Sequence, residues 1–90
     1  MIRQVLKLLK SGRVAIVHDS IEEWGLCDWD EKTLYIRKSL SERNKVTTII
    51  HECIHYLYPN FEEETVLCIE RDVFKHLTDE EYNTLRFYIL

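Results

Sequence analysis

The stretch KVTTIIHECIHYLYPNFEEE, residues 45–64, decides how this chain folds. Its apolar residues recur at the helical spacing i, i+3, i+4, i+7 and i+11. They are Val46, Ile49, Ile50, Cys53 and Leu57. Pro59 disfavours helical geometry in the residue before it. The pattern therefore predicts a helix that ends near Tyr58 and lays one face on the core.

The residues before this helix predict a helix followed by three strands. The first apolar residues recur at i, i+3, i+4 and i+7 and indicate a short amphipathic helix; they are Ile2, Val5, Leu6 and Leu9. Gly12 marks the end of this helix. RVAIVHD, residues 13–19, is an apolar β-branched run that suits a buried strand. GLCDWDEKTLYIRKS, residues 25–39, reads as two strands around a turn at residues 30–32.

Two more helices are expected after Pro59. Asn60 would cap a helix over residues 61–77, and Thr78 with Glu81 forms a capping-box pattern that opens the last helix. The predicted fold is α+β. It consists of an N-terminal helix, a small three-stranded sheet, the central helix that contains HECIH (the HExxH helix, with HECIH at residues 51–55) and two further C-terminal helices. All of them form a single domain over residues 1–90.

Composition narrows the class of protein. The net charge of −4 argues against a nucleic-acid binder held by phosphate contacts. No apolar run approaches the roughly 20 residues that span a bilayer, so no membrane segment is expected. The three cysteines are odd in number and lack CxxC spacing. We therefore expect no disulfide framework and a reducing, cytoplasmic compartment.

The histidines of the central helix form an HExxH pattern. His51 and His55 are four residues apart, so a helix projects both imidazoles from one face, where they can share one metal ion. Glu52 lies beside His51 in angle, and its carboxylate can reach a metal-bound water without being a ligand. The pattern favours a zinc site with Glu52 as general base. The competing interpretation is a solvated helix face with two incidental histidines.

Zinc in a catalytic site usually takes three protein ligands and a water, so a third ligand is needed. The predicted buried stripe of the next helix, projected back by three residues, reaches Glu63. Glu62 and Glu64 stay in reserve, and His76 is the next place to look. The alternative is that these first-turn acids only favour the helix macrodipole, with Glu63 as the N3 partner of Asn60.

At this point a family resemblance emerges. TLYIRKSLSERNKVTTIIHECIHYLYPNFEEETV, residues 33–66, resembles the zinc-site region of small HExxH metallopeptidases of the gluzincin type. It is particularly similar to compact forms, the minigluzincins and the SprT-like or ImmA-like proteins. The likeness covers about half the chain, residues 33–77. It implies zinc on His51 and His55, Glu52 as general base and acid, and a glutamate as third ligand.

The resemblance carries further expectations. The strand at residues 33–38 resembles the edge strand along which such enzymes lay an extended peptide. A terminal segment, here the aromatic C-terminus, fills the cleft in some very small members and keeps them latent. No residue is clearly the oxyanion stabiliser, and the candidates on reach alone are Tyr58, His76, Tyr82 and Tyr88.

The sequence thus predicts a zinc-dependent metallopeptidase that hydrolyses peptide bonds of a peptide or protein substrate through a metal-bound water. The alternative from another class is a non-catalytic zinc-binding or degenerate zincin-like domain that acts as a protein-binding module. Trp24 and Trp29, which flank Gly25, are expected to cover one end of the sheet, with a substrate platform as the alternative.

Overall fold

A computed structural model describes residues 1–90 of the chain. Seven elements follow one another along the sequence. They are α1 (Ile2–Ser11), β1 (Ala15–Asp19), β2 (Gly25–Asp28), β3 (Thr33–Arg37), α2 (Glu42–Leu57), α3 (Glu63–Lys75) and α4 (Asp79–Ile89). The predicted α+β order of one helix, three strands and three helices is confirmed.

The three strands form one mixed sheet in the order β1-β3-β2. β1 pairs with β3 in parallel, with Ala15 opposite Thr33, and β2 pairs with β3 antiparallel, with Cys27 opposite Leu34. β3 is therefore the central strand, bonded on both sides. The expectation that residues 33–38 form a free edge is wrong, because the strands on either side use both rows of backbone groups. The free edges belong to β1 and β2.

Only one face of the sheet packs on the helices. Leu34 and Ile36 of β3 are fully buried on that face, whereas Tyr35 between them is only partly buried. In β1 the burial alternates, and Val17 is 37% exposed. The prediction of a buried β1 is thus wrong. An edge strand with a single covered face buries every second residue, even when its sequence is apolar throughout.

α2 lies at the centre of the fold. It contacts α1, α3, α4, β2 and β3, and its buried apolar residues join those of the sheet and the other helices in one core cluster of 14 side chains. The helix begins after Ser41, whose hydroxyl accepts a hydrogen bond from the backbone N–H of Asn44 at 3.3 Å. It ends before Tyr58, as the following proline predicts.

α3 begins later than the sequence indicated. Its N-cap is Glu62, not Asn60, and its first helical residue is Glu63. The backbone N–H of Phe61 instead donates to the carbonyl of Tyr58 at 3.0 Å, and the two rings stack with centroids 4.8 Å apart. This hydrogen bond closes a turn over residues 58–61, and α3 therefore begins only after it, at Glu63. Glu63 is therefore not the N3 partner of an Asn60 cap.

The last helix, α4, begins at the predicted capping box. Thr78 and Glu81 exchange side-chain-to-backbone hydrogen bonds, and Leu85 and Ile89 are buried against the rest of the core.

None of the helices of the protein has the length and apolar character that crossing a membrane requires.

Candidate metal centre

His51 and His55 lie on one face of α2, one turn apart, as the HExxH spacing predicts. Their ring centroids are 4.8 Å apart with planes inclined at 66°. The helix is fixed in rotation by Ile50, Cys53 and Ile54, which are fully buried. Burial of these residues leaves His51 at the edge of the core, only 9% exposed, and His55 partly buried. Both Nε2 atoms point toward α3.

The third member of the cluster is Glu63, the first residue of α3. Its Oε1 lies 2.7 Å from Nε2 of His51, and its Oε2 lies 2.8 Å from Nε2 of His55. The turn after Pro59 folds α3 back over α2 and delivers this carboxylate. One ligand atom from each of the three side chains lies within 4.8 Å of the others, so the cluster could hold a metal ion.

The reserve ligands do not enter this cluster. Glu62 and Glu64 flank Glu63 but are exposed, and neither contacts a histidine. His76 lies at the other end of α3, where its Nδ1 donates to the backbone carbonyl of Asp72 at 2.9 Å. Of the three glutamates, the one selected from the predicted buried face of α3, Glu63, is the one that contacts the two histidines.

Glu70 is a site residue that sequence reasoning missed. Its carboxylate accepts a hydrogen bond from Nδ1 of His51 at 2.8 Å, which leaves Nε2 of that ring as the ligand atom. The signal was present, because Glu70 follows Glu63 by seven residues, or two helical turns, and lies four after the buried Val66. Histidines that bind metals commonly donate their second ring N–H in this way.

Glu52 is the buried carboxylate of the site. It is 6% exposed, and its side chain and that of Thr48 both lie against Gly25 of β2. A Cβ at Gly25 would stand 2.6 Å from Cγ2 of Thr48 and 2.9 Å from Oε2 of Glu52, so only glycine lets the strand approach this closely. Burial raises the pKa of Glu52 to about 7, with the charges of Glu63 and Glu70 adding to the rise and His51 opposing it.

His51 is held among three carboxylates. Burial alone would lower its pKa, but the hydrogen bond to Glu70 and the charges of Glu52, Glu63 and Glu70 outweigh burial and raise the pKa. The protonated imidazolium is therefore favoured when Glu63 contacts Nε2 directly. A metal ion that binds this nitrogen displaces that proton, as metal binding to histidine generally does.

A cavity of about 680 Å³ opens beside the cluster. One part of its wall carries His51, Glu52, His55 and Glu63, and other parts come from β2 with its flanking residues and from α3. The β2 part consists of Glu23, Trp24, Gly25, Leu26, Cys27 and Trp29. The tryptophans thus line the cavity of the histidine cluster, 51% and 45% exposed, which favours the substrate-platform interpretation over a cover for the sheet.

The four candidates for oxyanion stabilisation do not line this cavity. Tyr82 donates a hydrogen bond to Glu42 at 3.0 Å, and Tyr58 stacks on Phe61. Arg71 of α3 is the one lysine or arginine in the lining and replaces them as the candidate. No residue of α4 lines the cavity, so the C-terminal segment leaves it open.

The cysteines and the remaining histidine lie outside the ligand cluster. Cys53 is fully buried on the core face of α2, and burial raises the pKa of its thiol. Cys27 lines the cavity, and burial together with the nearby charge of Glu52 raises its pKa to about 12. Neither thiol is therefore a nucleophile at neutral pH. His18 on β1 has a buried Nε2 without a hydrogen-bond partner.

No protein-family model, no curated protein sequence and no solved structure matches the chain.

Proposed function

We propose that the protein is a zinc-dependent metallopeptidase that cleaves peptide bonds in an extended peptide or protein segment. One observation carries the proposal. Three ligand atoms from His51, His55 and Glu63 converge on the wall of an open cavity, and the buried carboxylate of Glu52 lies beside them without belonging to the ligand set.

The donor set fits zinc. Two imidazole nitrogens and one carboxylate oxygen are a common set for a catalytic zinc ion, which binds them at about 2.0 to 2.2 Å. Ligand atoms on a tetrahedral zinc ion stand about 3.3 to 3.6 Å apart. The carboxylate of Glu63, which lies 2.7 and 2.8 Å from the two Nε2 atoms, would therefore have to move back slightly to admit the ion, and its side chain is 62% exposed. Three protein ligands leave one position for water or substrate. A zinc ion held by these three ligands would polarise the scissile carbonyl and lower the pKa of a coordinated water.

The protein side chains would manage the proton. In this reaction Glu52 takes a proton from the attacking water and delivers it to the leaving amine, so that the C–N bond breaks as the new C–O bond is retained. Its burial against Gly25 limits the side chain to few conformations. Glu70 holds the ring of His51 in one tautomer.

β2 supports a peptide as the substrate class. It pairs with β3 on one side only, so its other edge has unpaired backbone groups, and its residues line the same cavity as the ligand cluster. An extended peptide can add to such an edge by main-chain hydrogen bonds. β2 would thus take the role that the family resemblance implied for β3. Three free cysteines suit a reducing compartment, and we place the activity in the cytoplasm.

The test compares zinc-loaded wild type with Glu52→Gln on a peptide library, with cleavage products read by mass spectrometry. An amide accepts no proton from water at neutral pH, so the variant should lose at least about a hundredfold in kcat/KM. Its zinc content and circular dichroism should stay as in wild type. Glu64→Gln, an exposed change of the same charge, serves as the matched control and should retain activity.

Two outcomes would contradict the proposal. Wild-type protein that is folded and loaded with zinc but cleaves no peptide favours the binding-module alternative. Equal activity in Glu52→Gln and wild type removes Glu52 from the mechanism.

A further inference from the structure

We call Trp24 and Trp29 the tryptophan wall; the first directly precedes β2 in the sequence and the second directly follows it. They are the only two tryptophans of the chain, and both line the cavity that contains the histidine cluster. About half of each side chain is exposed. Tryptophan is usually well buried, so two exposed rings on one cavity wall mark a binding surface rather than core packing.

The segment that carries the tryptophan wall is strongly acidic. Residues 22–31 contain five carboxylates and no lysine or arginine; the five are Glu22, Glu23, Asp28, Asp30 and Glu31. None of them forms an ion pair in the structure. Glu23 also lines the cavity itself. No direct ion pair within the protein therefore neutralises the carboxylates of this segment.

Aromatic rings beside unpaired carboxylates select for cations. A lysine or arginine side chain over the face of a tryptophan is attracted by the ring quadrupole, and its aliphatic stem covers apolar ring surface. The nearby carboxylates add a second, longer-range attraction. An apolar side chain gains only the contact with the rings, and an acidic one is repelled. The cation of the cavity lining, Arg71, belongs to α3 and not to this segment.

We propose that the tryptophan wall is a subsite for an arginine or lysine side chain of the bound peptide. The proposal rests on the proposed function for the identity of the ligand as a peptide. Backbone pairing with β2 would hold the chain of the ligand, and the tryptophan wall with Glu23 would read one basic side chain. The protein would then bind and cleave basic segments in preference to neutral or acidic ones.

Binding can be measured without turnover. Because both tryptophans lie in the cavity, intrinsic fluorescence reports a ligand there directly. The probes are three acetylated and amidated pentapeptides, with four alanines around a central arginine, norleucine or glutamate. Each is titrated into metal-free protein and into zinc-loaded Glu52→Gln, in which no hydrolysis is expected. The arginine peptide should bind about threefold to thirtyfold more tightly than the norleucine peptide, and the glutamate peptide most weakly.

Variants separate the two attractions. Trp24→Ala and Trp29→Ala should each reduce the preference for arginine over norleucine, and Trp24→Phe should retain part of it. Glu23→Gln should weaken binding of the arginine peptide, strengthen binding of the glutamate peptide and leave the norleucine peptide unchanged. It should also reduce the sensitivity of arginine-peptide binding to salt. The matched control is Phe87→Ala. Phe87 is 73% exposed but lies outside the cavity lining, so its removal should change nothing.

The results distinguish this inference from the proposed function. An arginine preference without any peptide hydrolysis would leave the subsite in place and remove the peptidase. Hydrolysis together with equal or tighter binding of the norleucine peptide would overturn the basic subsite and leave the peptidase. Fluorescence that no peptide changes, or an arginine preference that survives both alanine variants, would also overturn it. Circular dichroism of each variant confirms that the fold is intact.

Discussion

His51 is held from both sides of its ring by carboxylates of one helix: Glu63 lies 2.7 Å from Nε2 and Glu70 lies 2.8 Å from Nδ1. The two glutamates are two turns apart on α3, so a single helix supplies one member of the cluster that could hold a metal ion and the hydrogen-bond acceptor on the other side of the ring. The docking of α3 on α2 therefore determines which carboxylate faces each ring nitrogen of His51.

The proposed site should hold about one zinc ion per chain, since one cluster of three ligand atoms is present. His55→Ala removes one of them and should lose most of the bound zinc, as measured by elemental analysis after dialysis. His76→Ala, which changes an exposed histidine outside the cluster, is the control and should keep it. Unchanged zinc content in His55→Ala would refute the ligand assignment.

Glu63→Gln should weaken zinc binding more than Glu62→Gln or Glu64→Gln, because of these three glutamates only Glu63 contacts His51 and His55. All three residues lie at the start of α3 and carry the same charge, so the series separates ligation from the effect of charge on the helix terminus. Competition with a zinc chelator gives the three affinities. A dominant effect at Glu62 or Glu64 would mean that α3 docks in a different rotation.

Glu70→Gln should lower zinc affinity by about tenfold to a hundredfold, the usual effect of removing a carboxylate that orients a metal-bound histidine. The fold should stay intact, because Glu70 is partly exposed at the cavity. Asp72→Asn is the matched control, since Asp72 belongs to the same helix but contacts only the exposed His76. Equal zinc affinity in Glu70→Gln and wild type would show that the hydrogen bond to His51 contributes nothing to binding.

Gly25→Ala should destabilise the fold by about 1 to 3 kcal/mol, the usual cost of an added methyl group in a tightly packed place. The new Cβ would overlap Cγ2 of Thr48 and press on the side chain of Glu52. Urea unfolding gives the change in free energy. Thr48→Ser removes Cγ2 and should recover part of the loss in the double variant. A Gly25→Ala protein as stable as wild type would contradict the close approach of β2 to α2.

Glu42→Gln should destabilise the protein near neutral pH and not in acid. The carboxylate accepts hydrogen bonds from Arg86 at 2.6 Å and Tyr82 at 3.0 Å, and the bond from Arg86, followed by that from Tyr82, lowers its pKa from 4.5. A lowered folded-state pKa stabilises the protein above about 4.5, and the contribution is lost as pH falls through the folded value.

Free energies of unfolding for the Glu42→Gln variant and wild type, measured across this pH range, should therefore converge in acid. High salt should also reduce the difference at neutral pH, because the group is exposed. Glu64→Gln is the control, since Glu64 also lies in the first turn of a helix but forms no ion pair. A difference for Glu42→Gln that is independent of pH would exclude the pair with Arg86 as its source.

The sequence by itself determined the features that depend on local periodicity. The apolar spacing of α2 set which face is buried, and the same rotation of about 100° per residue placed His51 and His55 together. Gly12 ends α1 in the left-handed conformation, with φ of 73°, and the capping box opens α4. The projected stripe of α3 reached Glu63, the glutamate that contacts His51 and His55, even though the helix begins two residues later than predicted.

Only the tertiary structure decided which elements meet. Strand order depends on contacts between distant residues, so the parallel pairing that puts β3 in the centre and frees the edge of β2 has no local signature. The same holds for the wall formed by Trp24 and Trp29, because a half-buried aromatic pattern reads alike at the end of a sheet and in a cleft. The partnership of Glu70 with His51 arises from the docking of α3 on α2, across 19 residues of sequence. Periodicity fixes the direction of a side chain on its own helix, whereas packing between elements determines what that side chain touches.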